Sequence, residues 1–293
     1  MSGTAATAGD DGPAPRDGNS FVGDAWANCK RWHRKALRNP FVIVVVLVQP
    51  IVALLLFTEV FRAVGAAALA ETGLESVEYV TFLLPAVVVQ AALAAAISSG
   101  VGTFDDIRSG MFEKVLVSPM STGAVFAGKA AAELARIVVQ VLVVVALGVA
   151  IGARIETGLL GVVGIVLVAV LFALWFMAVS NAIALVVETE EVIIAVANLL
   201  QFPLLFLSSG LLPLGAFPDW VRAVAAVNPV SYAVDAVRAL VLGGDAVTVV
   251  SVSGLGPILG AFVPAVCLLA ALTFVCGAFT ASLMARFGDD AGA

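Results

Sequence analysis

Long runs of apolar residues, separated by short polar segments, dominate the chain. A helix needs about 20 apolar residues to cross a bilayer, and these runs are long enough to do so. They do not alternate in the way that transmembrane β-strands do. The pattern predicts an all-α polytopic membrane protein with six transmembrane helices. The six predicted spans are residues 41–61, 80–103, 136–153, 158–187, 192–212 and 256–284.

The composition agrees with this class, because 61% of the residues are hydrophobic and the mean hydropathy is +1.10. A soluble domain has too few buried positions for so many apolar side chains. Residues 1–20 have the composition of a disordered tail and lack the regions of a signal peptide. We therefore expect a tail over 1–20, an interfacial helix over 21–40, one membrane domain over 41–285 and a short tail over 286–293.

The basic residues predict the orientation. With the N-terminus inside, the inner segments hold 11 of the 15 Lys and Arg residues. Because Lys and Arg collect in cytoplasmic loops, both termini are predicted to be cytoplasmic and the protein to lie in the cell membrane.

The three cysteines are odd in number and suggest neither a disulfide framework nor a metal site.

Residues 21–40 have an amphipathic helical pattern. Val22 and Trp26 lie in an apolar stripe, and a second arc of the helical wheel is basic. A helix of this kind lies in the membrane interface, and Asn39-Pro40 ends it before the first span. We interpret it as an elbow helix that bears force, with a simple topology anchor as the alternative.

The polar segment after the second span reads DDIRSGMFEKVLVSPMSTG over residues 105–123. Treated as a helix, residues 104–116 place apolar side chains on one face and charged ones on the other, and Ser118-Pro119 ends that helix. Such a helix would present charge to the cytoplasm; an ordinary solvated loop is the alternative. The following GAVFAGKA fits GxxxxGK but lacks the Ser or Thr that binds magnesium, so no phosphate-binding loop is predicted.

Between the fifth and sixth predicted spans, an amphipathic segment is interrupted by Pro218 and Pro229. It is either a pair of surface helices or a re-entrant cap, since irregular backbone at membrane depth needs protein or water partners.

The spans also carry amides, which are interhelical contacts or ligand contacts. Charged residues inside the predicted spans are scarce, with only Glu59 near an outer end, which disfavours an ion-coupled carrier.

Two motifs in the right order resemble type-2 ATP-binding-cassette (ABC) exporter permeases, and the antibiotic, drug and lipid exporters among them look closest. The first lies in IRSGMFEKVLVSPMSTGAVFAGKAAAE and the second in FLSSGLLPLGAFPDWVRAVAAVNPVSYAVDAVRALVLGG. The matching positions of the first are Arg108, Gly110, Glu113, Val115-Leu116, Ser118-Pro119 and Gly128-Lys129. Those of the second are Ser209-Gly210, Pro213, Pro218, Trp220, Asn228-Pro229 and Arg238.

The resemblance implies a pair of permease subunits, expected to be a homodimer, with two ATPase subunits docked below. ATP and Mg would bind to the partner ATPase and not to this chain. A coupling helix between spans 2 and 3 would transmit ATPase motion through Asp106, Arg108, Ser109, Gly110, Glu113, Lys114 and Pro119. A second cytoplasmic contact would use Glu188, Glu190 and Glu191, although a plain solvated turn is the alternative.

The same resemblance implies a translocation path between two permease subunits, lined by the first, second and fifth spans. The amides expected to line it are Gln49, Gln90, Asn198 and Gln201. The extracellular re-entrant cap would be formed around Pro218, Trp220, Asn228, Pro229 and Arg238.

These observations predict a permease that exports an amphiphilic drug, lipid or glycan-like substrate, powered by a separate ATPase. No catalytic residues, metal site or nucleic-acid partner are expected, and the bilayer is the surrounding partner. The alternative is an ion-coupled secondary carrier, for which neither a clear inverted repeat nor a deep carboxylate is present. An intramembrane enzyme is disfavoured because the spans contain no paired Asp, HExxH or Ser-His arrangement.

Overall fold

The computed structural model describes residues 20–38, 40–110, 122–187, 189–244, 248–249, 252 and 254–291. In these ranges the chain forms nine α-helices, one short 3-10 helix at Leu214–Ala216 and no strand. The helices are α1 (Phe21–Leu37), α2 (Pro40–Glu71), α3 (Tyr79–Arg108), α4 (Thr122–Ala150), α5 (Gly158–Val186), α6 (Glu190–Phe206), α7 (Asp219–Val227), α8 (Pro229–Leu242) and α9 (Leu259–Ala291). The prediction of an all-α polytopic membrane protein is confirmed.

Five of the described helices are long and apolar enough to cross a membrane: α2, α3, α4, α5 and α9. By length and composition the count becomes six if α7 and α8, which meet at an angle of 84°, are taken as one broken span. The predicted fifth span, 192–212, corresponds to α6, which has 17 residues. At 1.5 Å per residue α6 is about 26 Å long, against about 30 Å of hydrocarbon. The chain leaves the helix at Leu207, so residues 207–212 do not extend that span.

Several helices extend beyond their predicted spans, and α2 and α4 do so by the largest number of residues. α2 continues past residue 61 to Glu71, through an Ala-rich stretch with high helix propensity. α4 begins at Thr122, well before the predicted start at residue 136. Lys129 and Glu133 therefore lie inside α4, and both are buried. These two charged residues lie before the predicted span that starts at residue 136, and they are paired with each other inside the protein.

α3 is the central helix, and its side chains are almost entirely buried. It packs against α2, α4, α5, α6 and α8, and α5 in turn packs against α9. The crossing of α3 and α5 is close at Gly100, where an added Cβ would overlap Ser180. Small residues permit this kind of close helix contact in membranes. α3 is thus the helix against which most of the other helices pack.

α1 packs mainly against α4. Asp24 and Asn28 on its inner face are buried, whereas Val22 and Trp26 are exposed. Val22 and Trp26 of the apolar stripe are therefore turned away from the protein, and the position of α1 in the membrane interface stays a prediction.

Candidate functional site

The site begins where α1 contacts the last turn of α3. Asp106 Oδ2 accepts a hydrogen bond from Arg31 Nη2 at 2.9 Å, and Asp106 Oδ1 accepts one from Lys35 Nζ at 3.1 Å. Arg31 Nε donates in turn to Asn28 Oδ1 at 2.9 Å. Arg31 and Lys35 lie one helical turn apart, so both can reach the same carboxylate. Asp106 is thus bound by two cations and joins the end of α3 to α1.

The predicted coupling helix over 105–116 is only partly described. Residues 105–108 do not begin a new helix, because they complete α3, which ends at Arg108. The chain then turns at Ser109 and Gly110, and Gly110 has a left-handed φ of 65° that side chains with a Cβ rarely adopt. Ser109 Oγ donates to the Asp106 carbonyl at 3.3 Å. The remaining predicted coupling residues, Glu113, Lys114 and Pro119, lie outside the described residues.

A second group of polar side chains lies beside this junction, buried between four helices. We call it the Lys129 cluster, and its members are Trp32 of α1, Ser99 and Thr103 of α3, Lys129 and Glu133 of α4, and Asn181 of α5. Lys129 Nζ donates to the Ser99 carbonyl at 2.9 Å, to Asn181 Oδ1 at 3.1 Å and to Thr103 Oγ1. Its three hydrogen-bond partners come from α3 and α5.

The charge of Lys129 is balanced within its own helix. Glu133 Oε1 lies 3.7 Å from Lys129 Nζ, and both side chains are less than 10% exposed. A buried ion needs such compensation, because loss of hydration otherwise costs several kcal/mol per ion. Glu133 Oε2 has no hydrogen-bond partner among the described residues. The Glu133 carboxylate therefore depends on Lys129 for compensation of its buried charge.

Trp32 connects the Lys129 cluster to the α1–α3 junction. Lys129, Lys35 and Arg31 all lie over its ring, at 5.1, 4.7 and 5.5 Å from a ring centroid. Aromatic rings attract cations at this range. Beneath the ring lies Gly102 of α3, where an added Cβ would be 3.1 Å from the indole. One indole therefore contacts side chains that bind both Asp106 and Asn181.

α1 and α4 approach each other closely at Gly128. An added Cβ there would overlap the Ala25 carbonyl and lie 2.9 Å from Asn28 Cβ. Asn28 Nδ2 donates to the Val125 carbonyl across the same contact. Only a glycine leaves room for this arrangement, which places the next residue, Lys129, against Trp32.

Sequence reasoning missed this cluster as a site. The matching positions of the sequence motifs include Lys129 only as part of Gly128-Lys129, and they include neither Asn181 nor Glu133. One signal was available, since Lys129, Glu133 and Arg136 recur at helical spacing on one face of an otherwise apolar run. Their partners Ser99, Thr103 and Asn181 are distant in sequence, and no local pattern indicates them.

The second predicted cytoplasmic contact lies at the same end of the molecule. Phe104 of α3, Ala184 of α5 and Ile193 of α6 form a small buried cluster that brings the start of α6 to the end of α3. Glu190 and Glu191 are the first residues of α6; Glu188 lies outside the described residues. Hydrogen bonds from its own backbone amide and from the Thr189 side chain lower the pKa of Glu191, and the charge of Arg108 lowers it further.

The amides predicted to line a path differ in exposure. Gln49 of α2 and Asn198 of α6 are exposed, Gln90 of α3 is half-buried and Gln201 of α6 is 5% exposed. Asn181, in contrast, bonds across helices to Thr103. These four amides are not joined by hydrogen bonds in the described residues, and their role as lining stays a prediction.

At the opposite end of the molecule, one of the predicted cap residues, Arg238, is fully buried. Arg238 of α8 donates to the Ser209 carbonyl at 2.7 Å, to the Gly210 carbonyl at 3.2 Å and to Asp235 Oδ1 at 3.3 Å. Its guanidinium lies 3.9 Å from the centroid of the Phe82 ring of α3. Asp235 also accepts from Ser209 Oγ at 2.6 Å. Arg238 thus holds α8 to α3 and to the segment after α6.

Asn228 makes the bend between α7 and α8. Its side chain accepts from the Val230 amide at 2.9 Å as an N-cap, with Pro229 at the first helical position. Its Nδ2 donates to the carbonyls of Leu204 and Leu207 at the end of α6. Pro218 precedes α7, and Trp220 is 63% exposed on it. The structure brings Asn228, Pro229 and Arg238 into the packed part of this region and leaves Trp220 on its surface.

The fold and these two polar regions define a class: a polytopic α-helical membrane protein whose helices are joined by buried charges at both ends. Comparison with known proteins identifies the family within that class. The model of the ABC-2 type transporter family matches residues 24–242, and the chain belongs to this family.

Known relatives of the chain are named as transport permeases. The chain is 31% identical to the daunorubicin resistance ABC transporter permease protein DrrB1 of Streptomyces coeruleorubidus over 204 residues, 70% of each chain. It is 26% identical over 221 residues to the putative transport permease ycf38 of Cyanophora paradoxa, covering 75% of this chain and 74% of that one. It is 24% identical over 224 residues to the probable doxorubicin resistance ABC transporter permease protein DrrC of Mycobacterium tuberculosis, covering 76% and 79%.

Proposed function

We propose that this chain is the permease subunit of an ATP-driven exporter that moves an amphiphilic, drug-like substrate across the cell membrane. The observation that carries the proposal is the family match over residues 24–242, which includes α3, the Lys129 cluster and Arg238. Two relatives are named for resistance to daunorubicin and doxorubicin, which are amphiphilic compounds. ATP hydrolysis belongs to a separate ABC ATPase subunit, with its own ATP and Mg, and a second copy of the permease completes the transporter.

The charged end of the bundle faces the cytoplasm in this proposal, together with both termini. Support comes from the concentration of Lys and Arg in the predicted inner segments, including those of α1. The ATPase docks on the segment after α3, with the start of α6 as its second contact. Rim charges such as Arg108 and Glu191 set the orientation of docking more than its affinity.

Motion of the docked ATPase reaches the membrane helices through bonds that converge on the end of α3. Displacement of the segment after Arg108 pulls on Asp106 and, through Arg31 and Lys35, on α1. The Lys129 cluster ties the same part of α3 to α4 and α5. These helices therefore move together as one body relative to the second permease subunit. The substrate passes between the two subunits along spans that include the amides Gln49, Gln90, Asn198 and Gln201.

The exit is closed by α7 and α8 in this mechanism. Pro218, Trp220, Asn228 and Pro229 shape the bent pair, and Arg238 anchors it to α3. Because α3 contacts both the cytoplasmic junction and this cap, a shift of α3 changes both ends of the path in one step.

Transport in inverted membrane vesicles tests the proposal. The permease is purified in mild detergent, and co-purified proteins are identified by mass spectrometry. Uptake of doxorubicin, followed by its fluorescence, is then measured with ATP, and with a proton or sodium gradient in the absence of ATP. The proposal predicts a bound ABC ATPase and uptake that requires ATP. Uptake driven by an ion gradient without ATP would show a secondary carrier instead.

A further inference from the structure

A cleft of about 1020 Å³ lies between α1 and the last turn of α3. It is distinct from the Lys129 cluster, since Lys129 and its partners on α4 and α5 do not line it. Six cationic side chains face two carboxylates, those of Asp105 and Asp106, across this cleft. The cations are Lys30, Arg31, Arg34, Lys35, Arg38 and Arg108. The cleft therefore carries an excess of positive charge that its own acidic residues do not neutralise.

The cations of the cleft are not equally engaged. Arg31 and Lys35 are bound to Asp106, and Lys30 Nζ lies 5.2 Å from the centroid of the Trp26 ring. In the part of the chain that the structure describes, Arg34, Arg38 and Arg108 form no ion pair. Guanidinium groups bind phosphate oxygens with two parallel hydrogen bonds, and they retain their charge at any relevant pH. The cleft thus offers free donors of the kind that phosphate binds.

The cleft also has an aromatic lining residue. Trp26 lines it and is 60% exposed. Phe21 and Val22, next to the lining residue Gly23, are also exposed, at 55% and 74%. A ligand in the cleft therefore meets several cations and the exposed ring of Trp26, with Phe21 and Val22 exposed on the neighbouring part of α1. Trp beside Lys and Arg on an amphipathic helix is typical of side chains placed at the level of lipid headgroups.

We propose that this cleft binds the phosphate headgroup of an anionic phospholipid, with Arg34 and Arg38 as its principal ligands and Trp26 packed against the start of the acyl chains. The volume admits a glycerophosphate headgroup together with the first methylene groups of the chains. An acidic protein segment would satisfy the cations but would leave Phe21, Val22 and Trp26 in water. The bound lipid fixes α1 at the membrane surface beside Asp106. The proposal rests on the proposed function only for placing α1 at the cytoplasmic face.

Native mass spectrometry of the purified permease tests the proposal without an ATPase. The protein is titrated with phosphatidylglycerol and, separately, with phosphatidylcholine, which has no net charge. The test variant is Arg34→Gln with Arg38→Gln. The matched control is Arg62→Gln with Arg222→Gln, which removes the same charge from two exposed arginines away from the cleft. A second variant, Arg34→Lys with Arg38→Lys, keeps the charge and shows whether the altered positions still fold.

The wild type is expected to retain phosphatidylglycerol in preference to phosphatidylcholine. Loss of two cations near a membrane surface corresponds to about 30-fold weaker binding of the anionic lipid. The control pair keeps wild-type binding, and the lysine pair loses less than the glutamine pair. Equal retention of the two lipids by the wild type, or equal loss in the control pair, overturns the proposal. A glutamine pair that binds lipid normally but no longer co-purifies with an ATPase also overturns it, because the cleft is then a protein contact.

This result is independent of the transport assay. Lipid retention is measured on the permease alone, so a carrier that needs no ATPase would leave it unchanged. Conversely, ATP-dependent transport with no lipid preference would contradict the lipid site and leave the exporter intact.

Discussion

Asp106, on the last turn of α3, accepts hydrogen bonds from Arg31 at 2.9 Å and from Lys35 at 3.1 Å, both on α1. Its side chain is 15% exposed, whereas that of the neighbouring Asp105 is 51% exposed and reaches Lys35 only at 3.9 Å. Two adjacent aspartates thus differ sharply in their contacts. The inner one joins two helices, and the outer one faces solvent.

Asp106→Asn is expected to weaken the link between α3 and α1. It removes two charge-assisted contacts whose cationic partners are partly exposed, so the cost is on the order of 1–2 kcal/mol. ATP-dependent uptake in the proposed vesicle assay should fall severalfold, and the midpoint of thermal unfolding in detergent should decrease. Asp105→Asn is the control for the same loss of charge one residue away, and it should have the smaller effect on both. Equal effects of the two variants would show that the position of Asp106 between the helices is unimportant.

Lys129→Met is expected to destabilise the protein strongly. The substitution leaves the Glu133 carboxylate buried without its cation, and breaking such a pair costs about 3–5 kcal/mol. Replacing both residues, as Lys129→Met with Glu133→Leu, removes the stranded charge and should recover most of the loss. Thermal unfolding of both single variants and the double variant in the same detergent measures this coupling. A double variant whose loss equals the sum of the single losses would contradict the pairing.

The apolar pattern was sufficient to predict the fold class, but it failed at helix ends. The apolar pattern places the end of a span where polar residues begin. A helix can continue through polar residues when other helices supply their hydrogen-bond or ion-pair partners. α4 starts at Thr122 and continues through Lys129 and Glu133, which are paired inside the bundle. α6 ends early, at Phe206, where Ser208 and Ser209 take part in side-chain hydrogen bonds with Leu205 and Asp235.

A candidate site could be predicted from the sequence where several of its residues belong to one sequence motif. Asn228, Pro229 and Arg238 lie within 11 residues of each other, and the structure places them on α8 or at its N-cap. The Lys129 cluster combines residues from four helices, with Lys129 separated from Ser99 by 30 positions and from Asn181 by 52. The packing of α3 against α4 and α5 brings these residues together. The periodicity of a single sequence does not show which helices pack against each other.

Gly128→Ala is expected to displace α1 from α4. A Cβ at this position would overlap the Ala25 carbonyl, and backbone atoms cannot move aside as a flexible side chain would. Overpacking of this kind costs about 1–3 kcal/mol. In a background with Cys267→Ser and Cys276→Ser, the half-buried Cys29 of α1 should react faster with maleimide.

Gly123→Ala is the matched control for that experiment. Gly123 lies on the same helix, and a Cβ there would be in ordinary contact, 3.6 Å from the Phe21 ring. Its Cys29 should react at the rate of the parent protein. An equal increase in both glycine variants would mean that the contact at Gly128 does not position α1.

Arg238→Gln is expected to loosen the cap at the opposite end of α3. The arginine is fully buried, donates to the Ser209 and Gly210 carbonyls and faces Asp235. Glutamine cannot span these acceptors, and the buried Asp235 loses its cationic partner while it keeps its hydrogen bonds from Ser209 Oγ and the Val249 amide. Removing one partner of a buried ion pair costs about 3–5 kcal/mol, and a loss of this order is expected. Arg238→Lys should also be defective, because an ammonium group lacks the planar donors that reach several acceptors at once.

Arg222→Gln provides the comparison for Arg238→Gln, since Arg222 is exposed and its partner Asp219 is 92% exposed. Removing an exposed ion pair changes stability by less than about 1 kcal/mol. Thermal unfolding in detergent should therefore place Arg222→Gln near the wild type and Arg238→Gln well below it. If the two variants unfold at the same temperature, the buried arginine does not hold α8 to α3, and the bent pair must be anchored by Asn228 and its contacts with the end of α6 instead.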